Sequence, residues 1–322
     1  MESSQRQTRY AFGPVPSRRL GRSLGVDLVP PKTCTFDCVY CQLGRTTDLT
    51  VERACRAPVD EVLADVARRL ESKPDYLTVS GSGEPTLHSE VGEVIRGLHE
   101  LSDVPVAVLT NGSLLYLPEV RRALRAADRV IPSLDVPDEA LFRAVNRPHP
   151  ALTFDMLVEG LVRFREEYDG VLALEVLLLG GVTDGVDAVG RLAPLVERIA
   201  PDVVQLGTVI RPPAEADVRA VPAEVLHDRA ALLPGVVDVT VDVAPPPVDA
   251  PLAAVADDAV ELVARRPCTV DDVAAGLGIH PGEALKLLRA LSLERRVETR
   301  REGQRTYYVA ARTDEKTGGT VS

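Results

Sequence analysis

The chain has 322 residues, 45% hydrophobic and 26% charged, with a formal net charge of −11. No apolar run reaches the ~20 residues needed to span a bilayer, so the composition excludes a wholly disordered chain, a transmembrane protein and a basic nucleic-acid coat. Length alone gives a prior of roughly two domains. The N-terminal segment through Arg19 has basic residues but no apolar h-region, so no signal peptide is predicted and the expected compartment is the cytoplasm.

From Ser23 to Leu252, short Val- and Leu-rich runs alternate with amphipathic stretches, the pattern of βα units around a buried parallel sheet. Strands are predicted at 23–29, 76–80, 105–110, 129–134, 171–179 and 203–208, and helices at 58–72, 89–101, 117–126, 153–167 and 185–199. Parallel strands joined by helices cross over right-handedly, so six repeats make either a doubly wound sheet or a partial barrel. This α/β region, residues 11–244, is followed by a proline-rich linker at 245–252.

Beyond the linker, residues 254–266 read as a helix. Thr269 caps a second helix that stops near Gly276 or Gly278, and Pro281 opens a third that runs to about Glu294. The segment after it alternates and turns at Glu302-Gly303, giving a hairpin. Three helices and a hairpin over 253–312 form a winged helix-turn-helix pattern, with a flexible tail at 313–322. Residues 253–312 hold ten Arg or Lys against nine Asp or Glu, net +1, and the tail is net −1, so the first 252 residues carry the whole −11. Lys286 to Arg312 holds eight basic residues and three acidic ones, the strongest positive patch in the chain.

Five cysteines in a chain of this length are a poor disulfide framework, and three of them, Cys34, Cys38 and Cys41, fall in CTFDCVYC just after the first predicted strand. Three soft thiolates in one tight loop suit a soft metal centre. Structural zinc wants four ligands, but the nearest further cysteine is Cys55 and the first histidine is His88. A [4Fe-4S] cluster on three cysteines leaves one iron open to a substrate or cofactor.

This C-x3-C-x2-C motif resembles that of the radical S-adenosylmethionine (SAM) superfamily, with Tyr40 at the usual aromatic position before the last cysteine. The resemblance implies a partial (β/α)6 TIM-like barrel, a [4Fe-4S] cluster on the three cysteines, and SAM chelated by the open iron and cleaved to a 5′-deoxyadenosyl radical. It also implies an external electron donor such as flavodoxin or ferredoxin, and an unidentified substrate. Gly81-Ser82-Gly83-Glu84-Pro85 after the second strand looks like the superfamily's Gly-Gly-Glu-Pro segment, in which small residues let the backbone approach the methionine amino group and Glu84 accepts its hydrogen bond. By the same resemblance Ser133 and Asp135 lie where the cofactor ribose is contacted, with Asn111 close by.

Glu175 interrupts an apolar strand, where a carboxylate is costly unless paired or facing a polar cavity, and is a candidate substrate or cofactor contact. GPVPSRRLGRSLGVDLVPPKTC, NRPHP and QLGTVIRPP together resemble uncharacterised radical SAM proteins related to the tRNA wyosine synthases, over residues 11 to about 245. Arg18, Arg19, His149 and Arg211 are their polar candidates for holding an anion. His88, His99, His227 and His280 lack such context and read as structural.

Wyosine synthases carry a second cluster on three further cysteines, whereas only Cys55 and Cys268 remain here, in different predicted domains. Lys32 is the one lysine near the cysteine loop, and a solvated charge is its preferred reading over a Schiff-base role. An acidic catalytic region with few aromatics argues against a large tRNA footprint. The expectation is therefore a radical SAM enzyme of unassigned substrate. The alternatives are an iron–sulfur DNA-binding regulator acting through residues 286–312, or a wyosine-type tRNA-modifying synthase.

Overall fold

The computed structural model describes residues 10–17, 19–210, 213–240, 256–260, 262–263, 267–277, 279–302 and 305–311. Arg18, Arg211, Gly278 and Gly303, the linker at 245–252 and the tail at 313–322 lie outside the described residues. The chain divides into two compact units, Met1–Pro247 and Val248–Ser322.

The first unit runs β1 (Ala11–Ser17), β2 (Gly21–Val26), β3 (Thr33–Cys34), β4 (Asp48–Leu49), α1 (Val59–Ala67), β5 (Tyr76–Val79), α2 (Val91–Leu101), β6 (Val106–Thr110), α3 (Pro118–Leu124) and β7 (Arg129–Pro132). It continues with α4 (Glu139–Leu141), α5 (Phe154–Glu167), β8 (Val171–Leu178), α6 (Val186–Ile199), β9 (Val203–Thr208), α7 (Ala223–Ala230) and β10 (Val237–Val239). The main sheet has the order β1-β2-β5-β6-β7-β8-β9-β10, parallel from β2 onward with β1 antiparallel at the edge. Strand order follows chain order and never reverses, so there is no topological switch point and the doubly wound alternative is excluded.

Period-two alternation gives the strands two different faces. Outward residues such as Leu24, Val26, Leu77, Val79, Val108, Val130, Leu174 and Val176 share one core with helix residues Val94, Ile95, Val120, Leu161 and Val189. In α2 the buried set Val91, Val94, Ile95 and Leu98 recurs at helical spacing, which is why that stretch is a helix lying on the sheet. Inward residues form a smaller cluster of Leu20, Ala107, Ile131 and Ala173. Leu20, from the β1–β2 turn, therefore plugs the inner face toward the N-terminal ends of the strands. At the C-terminal ends the inward positions Leu109, Asn111, Ser133, Glu175, Leu177 and Gly207 are half-buried while their outward neighbours Val108, Thr110, Leu134, Val176, Leu178 and Thr208 are buried. The inner face thus opens at the end where parallel α/β sheets carry their sites.

Several boundaries differ from the sequence expectation. β2 ends at Val26 because Asp27 turns to hold the 81–83 turn, and α1 stops at Ala67, with a separate 3-10 turn at Leu70–Ser72 that closes on Lys73 at φ +51°. β1 reads as a loop in sequence because AFGPVPS carries glycine and two prolines; an edge strand tolerates them. The short edge strand β10 and helix α7 likewise have no counterpart in the sequence expectation.

In the second unit residues 256–260 and 262–263 are helical, followed by α8 (Val270–Leu277), α9 (Pro281–Leu293), β11 (Val297–Glu302) and β12 (Arg305–Ala310). Thr269 and Asp272 cap α8 reciprocally, Asp272 N–H donating to Thr269 Oγ1 at 3.2 Å and Thr269 N–H to Asp272 Oδ2 at 3.0 Å. β11 and β12 pair antiparallel from Val297↔Ala310 to Glu302↔Arg305. Ala259, Val263, Val273, Leu287, Leu288, Leu291 and Tyr308 supply the core. Among the described residues no helix is long and apolar enough to cross a membrane.

Candidate active site

The cysteine loop leaves β3, and both of its margins are pinned by polar side chains. Asp37 accepts from Arg45 Nε at 2.7 Å and from Thr46 N–H at 2.7 Å, while Thr46 Oγ1 donates to Phe36 O at 2.7 Å. The loop is also stitched to the segment after α4: Asp37 N–H reaches Asn146 O at 3.1 Å, Val39 N–H reaches Val145 O at 2.9 Å, and His149 N–H reaches Thr35 O at 2.8 Å. Arg45 and Arg147 both pair with Glu215, at 2.9 and 2.5 Å. A loop held this way presents its thiols in a fixed arrangement.

Three N–H donors are aimed at two of the cysteine sulfurs. Phe36 N–H and Asn111 Nδ2 face Cys34 Sγ at 3.5 and 3.6 Å, and Asn146 Nδ2 faces Cys38 Sγ at 3.7 Å. Burial pushes the Cys34 thiol up to about 12, with Glu84 and Cys41 adding repulsion, and burial with Cys34 and Cys41 also pushes Cys38 well up. The other cysteines of the loop thus add to burial in disfavouring the thiolate forms of Cys34 and Cys38. Without a cation these thiols are driven to the protonated form; a bound metal centre displaces those protons and uses the aimed donors. Among the described residues no three His, Cys, Asp or Glu side chains converge on a single ion.

The segment after β5 lies directly against the cysteine strand. A Cβ on Gly83 would fall 1.9 Å from Thr33 O, so only glycine allows the close approach, which is sealed by Glu84 N–H to Thr33 O at 3.1 Å and Lys32 N–H to Ser82 O at 2.6 Å. Gly81, at φ +144°, and Ser82 turn around Asp27, whose Oδ2 accepts from Ser82 N–H at 3.0 Å and Ser82 Oγ at 2.5 Å.

Two carboxylates that the resemblance makes cofactor contacts are bonded into the scaffold. Glu84 is 2% exposed; its Oε1 accepts from Thr86 N–H, Thr86 Oγ1 and Thr110 Oγ1 at 3.0, 2.6 and 2.6 Å, and its Oε2 from Asn111 N–H at 2.7 Å. It joins β5 to β6 and aims Asn111. Burial raises its pKa, opposed by these donors. Asp135, also 2% exposed, accepts from the Tyr40 hydroxyl, from Asn146 Nδ2 at 3.2 Å and from Leu177 N–H at 3.0 Å. Burial pushes its carboxyl up to about 6 against the pull of Tyr40. It thereby braces Tyr40.

Asn111 reaches Cys34 and Thr35, to whose Oγ1 its Nδ2 donates at 2.7 Å, and it follows Thr110, the register partner of Pro132, which precedes Ser133. Ser133 meets Glu175, donating to Oε2 at 3.5 Å, and Arg19 Nη1 donates to Glu175 Oε1 at 2.5 Å. The structure thus joins Arg19, Ser133 and Glu175, which sequence had named separately. His149 is not brought to this group: its Nδ1 accepts from Ala151 N–H at 3.2 Å, a local turn. Cys55 is exposed near Ala57, and Cys268 is buried in the second unit's core. His88 is buried against Ala57 and Glu90, and His280 caps α9 through Gly282 N–H at 3.0 Å.

Sequence reasoning missed Thr35, Thr110 and Asn146. Asn146 lies in the NRPHP string, from which the histidine looked the chemical residue. Its signal is a π-helical turn at Phe142–Asn146 that ends in Arg147 at φ +46°, a distortion that side-chain periodicity does not reveal.

The family model of the radical SAM superfamily matches residues 28–192, the cysteine loop through α6. The chain is 38% identical over 220 residues to a UPF0026 protein of Methanocaldococcus jannaschii, covering 67% of this chain and 68% of that protein. It is 34% identical over 295 residues to a protein of Brachyspira hyodysenteriae named GTPase Obg, covering 89% of this chain but 43% of that protein, so it spans under half of that relative's length. Among solved structures, a radical SAM methyltransferase from Sphaerobacter thermophilus superposes with a TM-score of 0.52 at 21% identity, covering 67% of this chain and 65% of the other, a likeness of fold. With half the chain inside the family model and the three cysteines gathered at the sheet's C-terminal end, the protein belongs to the radical SAM superfamily, among its UPF0026 members.

Proposed function

We propose that Cys34, Cys38 and Cys41 ligate the [4Fe-4S] cluster used by this superfamily, and that SAM docks on a wall of Tyr40, Gly83, Asn111 and Ser133. When bound, cluster and cofactor supply the 5′-deoxyadenosyl radical that abstracts hydrogen from a substrate. The chain's own residues do the positioning. Phe36 N–H, Asn111 and Asn146 offer hydrogens to two thiolates and so offset their negative charge. Gly83 lets the 81–85 turn pack directly on the cysteine strand and so sets the distance between that turn and the thiols. Glu84 holds Asn111, and Asp135 holds Tyr40, both from buried positions. The half-buried inward residues above the Leu20 plug leave room for a ligand while the sheet excludes bulk water.

In this reading the sheet is a partial (β/α)6 barrel over residues 11–244, the second unit over 253–312 is a winged helix, and the protein works in the cytoplasm with a flavodoxin- or ferredoxin-type electron donor. The observation that carries the function is the set of amide donors aimed at Cys34 and Cys38. The regulator reading rests on the charge of residues 286–312, where Lys286 is paired with Glu283 and Arg296 with Asp257; nothing specific favours it. The wyosine reading lacks its second set of three cysteines.

The test is anaerobic reconstitution with iron and sulfide, then dithionite and SAM, with 5′-deoxyadenosine quantified by chromatography. Cleavage that disappears in Cys34→Ala, Cys38→Ala and Cys41→Ala is the expected result. Full cluster content and cleavage in any one of these variants overturns the assignment.

A further inference from the structure

Beside the proposed cofactor wall, and meeting it at Ser133, the side chains of Arg19, Glu175 and Gln205 form a row to which the proposed function gives no role. Ser133 and Glu175 are bridge partners across β7 and β8, and Glu175 and Gln205 are register partners across β8 and β9. Residues in register on parallel neighbours project to the same face, so the three stand together on the inner face. Arg19 joins them from the β1–β2 turn through Glu175 Oε1. Asp135 follows Ser133 by two residues on the same face and holds Tyr40 of the cysteine loop. The row therefore lies about 6–7 Å along the strand from the level at which Tyr40 is braced.

Gln205 is 4% exposed, and its Oε1 has no hydrogen-bond partner among the described residues. A buried amide oxygen without a donor is unfavourable, and native structures leave few such groups unless something fills the need. Its register partner Glu175 and Gly207, two residues on, are half-buried, and a Cβ on Gly207 would meet Thr240 Oγ1 at 2.8 Å. Arg19 has five N–H donors, of which Glu175 takes one among the described contacts. The row offers an acceptor in Gln205, donors in Arg19 and a hydroxyl in Ser133 that can act either way.

We propose, resting on the radical SAM reading above, that this row is the substrate subsite and that it takes a neutral amide-like group, a carboxamide or imide edge. The ligand's N–H donates to Gln205 Oε1 and its carbonyl accepts from Arg19. Charge decides the class. Arg19 and Glu175 neutralise one another, so an anion at Arg19 would lie against the Glu175 carboxylate and a cation at Glu175 would lie against the guanidinium. A neutral donor–acceptor pair satisfies Gln205 with no such penalty.

The experiment is anaerobic equilibrium dialysis of the full chain, reconstituted and loaded with SAM, against millimolar radiolabelled uracil as the imide probe, with acetate and methylammonium as charged controls. Uracil is retained and the two ions are not. Gln205→Leu, which keeps the bulk and removes the amide, weakens uracil retention about tenfold with iron content and SAM affinity at the parent level. Gln205→Met replaces it if the leucine variant does not fold, as judged by iron content. The proposal is overturned if the parent chain retains no uracil, if the variant retains it equally, or if SAM affinity falls in the variant, which would assign the row to the cofactor. A parent chain that loads iron and cleaves SAM yet ignores uracil loses only this subsite; one that cleaves no SAM loses the radical SAM assignment of the site itself.

Discussion

The two units fold by different rules. Of the buried polar and charged residues described, all but His280 lie in the first unit, among them Asp27, Asp37, Glu84, Asp135, Asn146 and Gln205. The second unit is an aliphatic core of Val273, Leu287, Leu288 and Leu291 wrapped by capped helices and a hairpin. Burying polar groups is unfavourable unless each finds a partner. The first unit therefore carries a network whose cost makes sense only around a site, whereas the second carries what folding alone requires. Location of buried polarity, more than overall charge, separates the unit that does chemistry from its neighbour.

The sharpest way to break that comparison is Cys34→Ala. It is expected to abolish iron loading while the second unit's unfolding transition stays in place, as iron analysis beside calorimetry would show. A shift of both transitions together would mean that the units are one cooperative body. Next in size, Leu288→Ala opens a cavity in the second unit and costs about 2–5 kcal/mol there; iron content should stay at the parent level. Loss of iron in this variant would show the second unit supporting the site.

Gly83→Ala drives a methyl into Thr33 O and is expected to cost about 1–3 kcal/mol or shift the cysteine strand. Iron content and denaturant midpoint measured together would report it, and a neutral result would deny the close approach. The smallest effect belongs to His88, whose pKa is lowered by burial. The folded chain therefore prefers the neutral ring, so this contribution is present above the unfolded value of about 6.5 and is lost as pH falls below it. The melting temperature of the metal-free chain should drop from pH 7 to pH 5 by less in His88→Gln than in the parent. Equal drops would remove His88 from the account.

Much of this was legible in the residues. The alternating Val/Leu runs gave the strands because outward-facing apolar residues recur at period two under amphipathic helices, and CTFDCVYC announced a soft metal centre by ligand type and spacing. Thr269 and Pro281 marked helix starts through local capping chemistry. What was not legible were partners distant in sequence: Thr110 and Asn111 donate to Glu84, and Tyr40 and Leu177 to Asp135.

The element pattern, the cysteine triplet and the superfamily resemblance follow from the residues alone, since these depend on local periodicity and on residue types a few positions apart. The folded chain alone reveals which donors each buried carboxylate accepts from and which side chains stand on the inner face of the sheet. It alone placed Asn146 at Cys38 and left Gln205 Oε1 without a donor. Those outcomes depend on strand register and on which neighbour fills each hydrogen-bonding site, and register is fixed by packing across the whole sheet rather than by any local string.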